Sequence, residues 1–264
     1  MTNTSIYQDI AQRTGGDIYL GLVGPVRTGK STFIRRFMET LVIPNIEDVY
    51  ARERAKDELP QSGSGRTIMT AEPKFVPEDA VNVTLEGGVS FSVRMVDCVG
   101  YMVEGASGQF EDGEERMVAT PWFDEEVSMS RAAEEGTRRV IAEHSTIGIV
   151  MTTDGSICGI PREGYVPAEE RVVAELKSIG KPFVLILNSA EPYSESAQSL
   201  RSELAEKYGV TCVCVNCLDL SGEDIEEILK FALYEFPIAE LGIYLPSWLD
   251  ALPADKRTQV RNNA

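Results

Sequence analysis

A stretch rich in glycine and hydroxyl residues, GPVRTGKST over 24–32, matches the spacing of a phosphate-binding loop, G-x-x-x-x-G-K-[ST]. The glycines let backbone N–H groups converge on phosphate oxygens, and a following helix adds the positive end of its dipole. The lysine reaches the β- and γ-phosphates, and the serine hydroxyl ligates Mg²⁺. The stretch therefore predicts a site for a nucleoside triphosphate with magnesium, formed by Gly24, Pro25, Val26, Arg27, Thr28, Gly29, Lys30, Ser31 and Thr32.

Two later motifs supply groups for the same site. Asp97 ends an apolar run, where a carboxylate can orient Mg²⁺ through water, and the D-x-x-G form adds Gly100, whose N–H can meet a γ-phosphate. Thr70 precedes a predicted hairpin, and its hydroxyl can close on Mg²⁺ and the γ-phosphate as a sensor of the triphosphate. Thr67 is the competing candidate for that role. The predicted metal ligands are Ser31, Thr70 and Asp97.

Arg27 stands inside the loop, where small residues or asparagine are common. Its guanidinium could lie along the phosphates as a built-in arginine finger, and the alternative is an outward-pointing surface arginine. Tyr101 and Met102, and no glutamine, follow the D-x-x-G motif. The water-positioning residue is therefore unassigned, and slow turnover is expected. The predicted catalytic residues are Lys30, Thr70, Asp97 and Arg27.

The order of phosphate loop, threonine loop, hairpin and D-x-x-G resembles the translation-factor-related GTPase class over residues 17–235. That class carries N-K-x-D, whose aspartate accepts two hydrogen bonds from guanine. Here the corresponding residues are Asn188, Ser189, Ala190 and Glu191, so the lysine is absent and a longer glutamate replaces the aspartate. We expect Asn188 and Glu191 to lie at the base, and the altered acceptor predicts relaxed specificity or a preference for ATP.

The surrounding elements have the order that such a site needs. An apolar run of strand length precedes the loop, and a helical pattern with Phe33, Ile34 and Phe37 follows it. Two alternating runs around Gly87-Gly88 predict a β-hairpin, and strict strand–helix alternation follows. The pattern predicts an α/β P-loop NTPase with three α/β/α layers, a mostly parallel sheet and one antiparallel edge strand. We expect 44–73 to be irregular, a helix at 168–179 and a helix cap at Ser221.

Composition and charge exclude several classes of protein. The formal net charge is −17, from 42 acidic and 25 basic residues, which argues against nucleic acid as a partner. The sequence shows neither a signal peptide nor an apolar run of about 20 residues that could cross a bilayer. Five cysteines without a secretory signal indicate a reducing cytoplasm. The cluster CVCVNC is interpreted as buried strand cysteines in preference to a metal site.

The match extends beyond a class of GTPases. DIYLGLVGPVRTGKSTFIRRFME, GSGRTIMTAEPKFVP, VRMVDCVGYMV, ATPWFDEEVS and LNSAEP together resemble the stage IV sporulation protein A family of endospore-forming Firmicutes, over essentially the whole chain. The resemblance implies an ATPase with Lys30 in Walker A, Thr70 as sensor threonine and Asp97 in Walker B. Residues 1–236 would form the ATPase domain, and 237–264 the start of an incomplete following domain or a linker.

The resemblance also implies a structural role. Family members hydrolyse ATP and form a homopolymer, the basement layer of the spore coat, at the outer forespore membrane on the mother-cell side. The implied partners are further copies of the protein, a small amphipathic membrane-anchoring peptide and other coat proteins. Three alternatives stay open from the residues alone: a conventional GTPase switch, a nucleotide-binding scaffold without turnover, and a small-molecule kinase. The role of the acidic loop at 104–126 also stays open.

Overall fold

A computed structural model describes residues 4–60, 73–85, 88–106, 110–111 and 114–236. In these ranges the α-helices are α1 (Thr4–Thr14), α2 (Lys30–Phe37), α3 (Val49–Asp57), α4 (Met129–His144), α5 (Arg162–Ile179), α6 (Glu195–Tyr208) and α7 (Gly222–Tyr234), and α2 continues into a π-helical turn (Met38–Val42) and a 3-10 turn (Ile43–Asn45). The strands are β1 (Asp17–Val23), β2 (Lys74–Thr84), β3 (Ser90–Asp97), β4 (Phe110–Glu111), β5 (Glu114–Glu115), β6 (Met117–Val118), β7 (Val127–Ser128), β8 (Ile147–Thr153), β9 (Phe183–Asn188) and β10 (Cys212–Val215).

Six strands form one sheet in the order β10-β9-β8-β1-β3-β2. All neighbouring strands are parallel except β2, which pairs with β3 in the antiparallel sense. The predicted α/β fold with a mostly parallel sheet and one antiparallel edge strand is therefore confirmed. The register brings Leu22 of β1 opposite Asp97 of β3, so the chain leaves both strands at the same edge of the sheet. Ligands of open α/β sheets bind at this carboxyl edge.

Two hydrophobic cores cover the two faces of the sheet, which gives the three layers expected from the alternating pattern. One core joins α1, α2 and α7 to the sheet, through residues such as Ile10, Phe33 and Ile228. The other joins α4, α5 and α6, through residues such as Ile141 and Val172. These six helices each bury one face against the sheet, and the loops at the carboxyl edge of the strands are left to form a site.

Two predicted elements differ from the structure in their extent. Residues 44–73 are not irregular throughout, because α3 lies within them, with the Asp48 side chain accepting from the N–H of Tyr50 at 2.9 Å. Ala55 is the one buried residue of α3, so its apolar pattern is too weak to indicate a helix. Helix α5 begins at Arg162 and not at residue 168, and Pro167 lies inside it. The fully buried Tyr165 anchors its first turns, so tertiary packing overrides the usual effect of proline on a helix.

Other predictions agree with the structure. Ser221 caps α7, and its side chain and that of Asp224 form a reciprocal capping box. Within the CVCVNC cluster, Cys212 and Cys217 are buried and Cys214 is half-buried, with Cys212 and Cys214 in β10. Burial raises the pKa of Cys212 to about 12, which keeps this thiol protonated at neutral pH. Within the ranges given above, no helix has both the length and the apolar composition needed to cross a membrane.

Candidate nucleotide site

The phosphate loop joins β1 to α2 with an unusual backbone. Gly24, Arg27 and Gly29 all have positive φ, at 139°, 66° and 91°. A Cβ added to Gly24 would lie 2.2 Å from the carbonyl oxygen of Met151 in β8, so only glycine fits this contact. The hydroxyl of Thr28 donates to the carbonyl of Pro25 at 3.0 Å and closes the loop. The first turn of α2 follows directly, which is the arrangement that binds anions at a helix N-terminus.

Lys30 is the cation at the centre of this loop. Its side chain is buried, and Nζ donates to the carbonyl oxygens of Pro25 at 2.7 Å and Gly24 at 3.4 Å. Burial lowers the pKa of Lys30 below its ordinary value, with the nearby charge of Asp97 opposing this effect. No side-chain carboxylate is bonded to Nζ among the described residues, so the ammonium is held by neutral carbonyls inside the loop.

Ser31 and Asp97 come together at the end of β3. The hydroxyl of Ser31 donates to Oδ2 of Asp97 at 2.6 Å, and Oδ1 of Asp97 is buried without a hydrogen-bond partner in the described chain. Burial raises the pKa of Asp97, against the hydrogen bond from Ser31 and the charge of Lys30. A carboxylate oxygen and a hydroxyl beside a phosphate loop are hard oxygen donors of the kind that Mg²⁺ prefers. The pair therefore fits a magnesium site.

The D-x-x-G segment is attached to the phosphate loop through its backbone. The N–H of Tyr101 donates to the carbonyl of Gly24 at 3.1 Å, and the N–H of Val26 donates to the carbonyl of Tyr101 at 2.8 Å. A Cβ added to Gly100, which has φ 90°, would lie 2.1 Å from the carbonyl oxygen of Gly24 and 2.6 Å from Nζ of Lys30. Gly100 is therefore the residue through which β3 approaches the loop.

The side chain of Tyr101 is used elsewhere in the fold. It is buried, its hydroxyl donates to Glu175 of α5, and the guanidinium of Arg171 lies 5.0 Å from its ring centroid. Burial and the hydrogen bond to Glu175 raise the pKa of this tyrosine. The residue after D-x-x-G thus ties the phosphate loop to α5.

Asn188 lies at the site but its amide is engaged with protein groups. Nδ2 donates to the carbonyl of Thr28 in the phosphate loop at 3.0 Å, and Oδ1 accepts from the N–H of Cys217 at 3.1 Å. The side chain therefore braces the loop against the segment that follows β10. Gly29 lies directly against it, because an added Cβ there would be 2.4 Å from Nδ2.

The remaining residues of the altered base motif lie at the carboxyl end of β9. Ser189 is buried, and its hydroxyl donates to Oδ2 of Asp154 at 2.6 Å. Burial works against the ionised form of Asp154, but the hydrogen bonds from Ser156 and Ser189 hold its pKa below its ordinary value. The side chain of Glu191 is exposed. The single acidic residue of the motif, Glu191, therefore faces solvent.

The structure decides between the two predicted orientations of Arg27 and gives the positions of only some of the predicted threonines. Two guanidinium nitrogens of Arg27 are buried, which argues against the outward-pointing alternative. Thr32 lies half-buried in the first turn of α2, and Thr70 and Thr67 lie outside the described residues.

Sequence reasoning missed Asp154, although a carboxylate directly after the buried strand β8 was a usable signal. It also missed Glu175, for which the sequence offers no signal.

The amino-acid sequence of the chain is similar to those of known proteins. A sequence model for "Stage IV sporulation protein A, ATPase domain" matches residues 1–237. Proteins called stage IV sporulation protein A from Clostridioides difficile (strain 630) and Bacillus anthracis are 57% and 53% identical over 250 and 252 residues. These matches cover 95% and 96% of this chain and 51% of each relative, so the chain spans about half their length. The chain belongs to the stage IV sporulation protein A family, and residues 1–237 match its ATPase domain.

Proposed function

We propose that the phosphate loop binds ATP with magnesium and that the domain hydrolyses it. One observation carries the proposal. The hydroxyl of Ser31 and a carboxylate oxygen of Asp97 meet at 2.6 Å, and the second carboxylate oxygen is buried without a partner in the described chain. A buried anionic oxygen without a partner is costly unless a ligand completes it. This arrangement beside a phosphate loop is the donor set that a nucleotide-bound magnesium ion uses.

The other residues of the site have complementary roles in this proposal. Lys30 exchanges part of its contact with loop carbonyls for the β- and γ-phosphates, and the N–H of Gly100 donates to the γ-phosphate. Ser31 and Asp97 hold magnesium, which supplies neutralisation of phosphate charge when it is bound. Thr70 keeps the sensor role that its place in the sequence predicts. Because Lys30 is already buried inside the loop, its ammonium has only to turn from the carbonyls of Pro25 and Gly24 toward the phosphates.

The base site supports ATP over GTP. Ser189 stands where the GTPase class has lysine, and its hydroxyl is bonded to Asp154. Glu191 is exposed and one methylene longer than the aspartate that reads guanine. A site that selects guanine needs a fixed acceptor for two donors, and these contacts do not offer one.

Membership of the family extends the proposal to the whole protein. We propose that the nucleotide state controls self-assembly into the basement layer of the spore coat, at the outer forespore membrane facing the mother-cell cytoplasm. Further copies of the protein, other coat proteins and a small amphipathic membrane-anchoring peptide are the proposed partners. Because the chain spans about half the length of its relatives, surfaces for these partners are expected in the other half as well.

A second candidate is a scaffold that binds nucleotide without turning it over. It is favoured by Tyr101, which follows the D-x-x-G motif and whose hydroxyl is bonded to Glu175. A phenol carries no carboxamide, so the residue after D-x-x-G does not supply the water-positioning glutamine found in faster GTPases, and this tyrosine is also buried against α5. Single-turnover phosphate release from bound ATP distinguishes the scaffold from the ATPase.

The test is a comparison of kcat/KM for ATP and GTP in the full-length protein, with and without magnesium. We expect magnesium-dependent hydrolysis of ATP and ATP-dependent sedimentation of the wild-type protein, and we expect Lys30→Ala to lose both. A matched control is Lys56→Ala, because Lys56 is exposed on α3 and paired with Glu53. A strong preference for GTP would contradict the base assignment, and bound ATP that is never hydrolysed would favour the scaffold.

A further inference from the structure

Arg27 has a strained backbone at the centre of the phosphate loop. Among the described residues it is the single non-glycine residue with positive φ, at 66°. Side chains rarely adopt this conformation, and it persists where the surrounding structure enforces it. The thiol of Cys158 donates to the carbonyl of Arg27 at 3.6 Å and lies 2.8 Å from the hydroxyl of Tyr165. Tyr165 is fully buried in α5 and gives this chain of contacts a rigid base.

Arg27 is half-buried as a residue, and part of its guanidinium lies without an acceptor. Its Nε and Nη2 are buried and have no hydrogen-bond partner in the described chain. Burial lowers the pKa of Lys30 and raises that of Tyr165, and the charge of Arg27 makes a smaller, lowering contribution to both, so the guanidinium lies near both groups. By contrast, Arg162 on α5 pairs with the buried Glu169 at 2.8 Å. Buried guanidinium nitrogens without an acceptor are costly, and the planar fork of the group matches the oxygens of a phosphate.

We propose that Arg27 is a phosphate ligand supplied by the loop itself. Its guanidinium donates to the terminal phosphates of the bound nucleoside triphosphate, and Cys158 and Tyr165 are positioning residues that hold the loop in its left-handed conformation. This inference rests on the proposed function, because it requires a triphosphate in the loop. Two cations, Arg27 and Lys30, then share the charge of the transferred phosphoryl group.

The test compares substitutions that keep the backbone conformation. Asparagine tolerates positive φ, so Arg27→Asn removes the guanidinium with little added strain, whereas Arg27→Lys keeps the charge without the fork. The matched control is Arg35→Asn, because Arg35 is an exposed residue of α2 paired with Glu39 at 2.9 Å. The readouts are the dissociation constant of ATP, measured by displacement of a fluorescent analogue, single-turnover phosphate release, and the unfolding midpoint without nucleotide.

We expect Arg27→Asn to bind ATP about 10- to 100-fold more weakly, as for loss of a charged hydrogen bond, with Arg27→Lys intermediate and Arg35→Asn unchanged. Wild-type affinity and turnover in Arg27→Asn would overturn the inference while leaving the proposed function intact. A lowered unfolding midpoint with unchanged affinity would also overturn it, because Arg27 would then be a structural residue. If the wild-type protein binds no ATP, the proposed function fails and the inference fails with it.

Discussion

Replacing Asn188 with alanine should loosen the phosphate loop before any nucleotide is bound. The side chain is buried and makes two hydrogen bonds, to the carbonyl of Thr28 at 3.0 Å and from the N–H of Cys217 at 3.1 Å. Alanine leaves both backbone groups buried without partners. Each such group costs about 1–3 kcal/mol, so we expect the free energy of unfolding to fall by about 2–6 kcal/mol.

The assay is urea unfolding of the nucleotide-free protein, with the affinities for ATP and GTP measured in parallel. Because Asn188 acts on the loop and not on the base, both affinities should fall by the same factor. Asn82→Ala is the matched control, since Asn82 is exposed on β2 and accepts one hydrogen bond from Ser92. Unchanged stability in Asn188→Ala, together with a loss of affinity for ATP alone, would refute the bracing role and restore a direct contact with the base.

Three further substitutions test the contacts around the loop. Asp97→Asn replaces a buried carboxyl group, whose raised pKa shows that its ionised form is unfavourable in the fold, with a neutral amide. The nucleotide-free variant should therefore unfold at a higher urea concentration than the wild type, and magnesium-dependent hydrolysis should be lost. A lower stability of the variant would contradict this. Gly100→Ala should destabilise the protein more than Gly105→Ala in thermal unfolding, because both have φ near 90° but only Gly100 has neighbours in the way; equal losses would contradict this. Tyr101→Phe removes the hydrogen bond to Glu175 and should cost about 1 kcal/mol in the same assay, whereas no change would show that this bond contributes nothing.

The raised pKa of Asp97 also sets the sign of a pH effect. The folded protein holds this proton at a pH where the unfolded chain has released it, so the ionised carboxylate lowers stability once the pH rises through the folded pKa. Protonation at lower pH relieves that cost and removes the anionic ligand that magnesium needs. Acidification within this window should therefore strengthen the Asp97 contribution to folding and weaken magnesium-dependent binding of ATP.

Local sequence patterns were sufficient to predict the strands, turns and helices that hold the site. The strand before the loop, the hairpin and the alternation of strands and helices each have a signal within about ten residues, namely periodicity or a glycine turn. Parallel neighbours end at the same edge of a sheet, so the sequence also indicated that Ser31 and Asp97 lie close to each other. The structure brings these two side chains, 66 positions apart in the chain, into a hydrogen bond.

Side-chain contacts between segments that are far apart in the chain could not be predicted from the sequence. The NSAE motif suggested that Asn188 contacts the base, but its neighbours in the fold, Thr28 and Cys217, occupy both sides of its amide. The turn of Tyr101 toward Glu175 likewise depends on where α5 packs. Helix α3 was not predicted because it has a single buried residue, which does not produce an apolar periodicity in the sequence. In each case the tertiary neighbours of the residue, and not its local amino-acid sequence, decide its role.

The distribution of unpaired polar atoms connects the stability of this fold to its ligand. Five buried side-chain nitrogen or oxygen atoms lack a partner in the described chain, and three of them belong to Arg27 and Asp97 at the phosphate loop. Folded proteins pair nearly all such atoms, so a cluster of exceptions marks groups whose partner is a ligand. Two guanidinium nitrogens and one carboxylate oxygen, on residues of the phosphate loop and of the end of β3, are therefore left without partners, and a phosphate with its metal could supply those partners. Binding of Mg–ATP would then stabilise the folded domain directly, in proportion to the logarithm of ligand concentration over its dissociation constant.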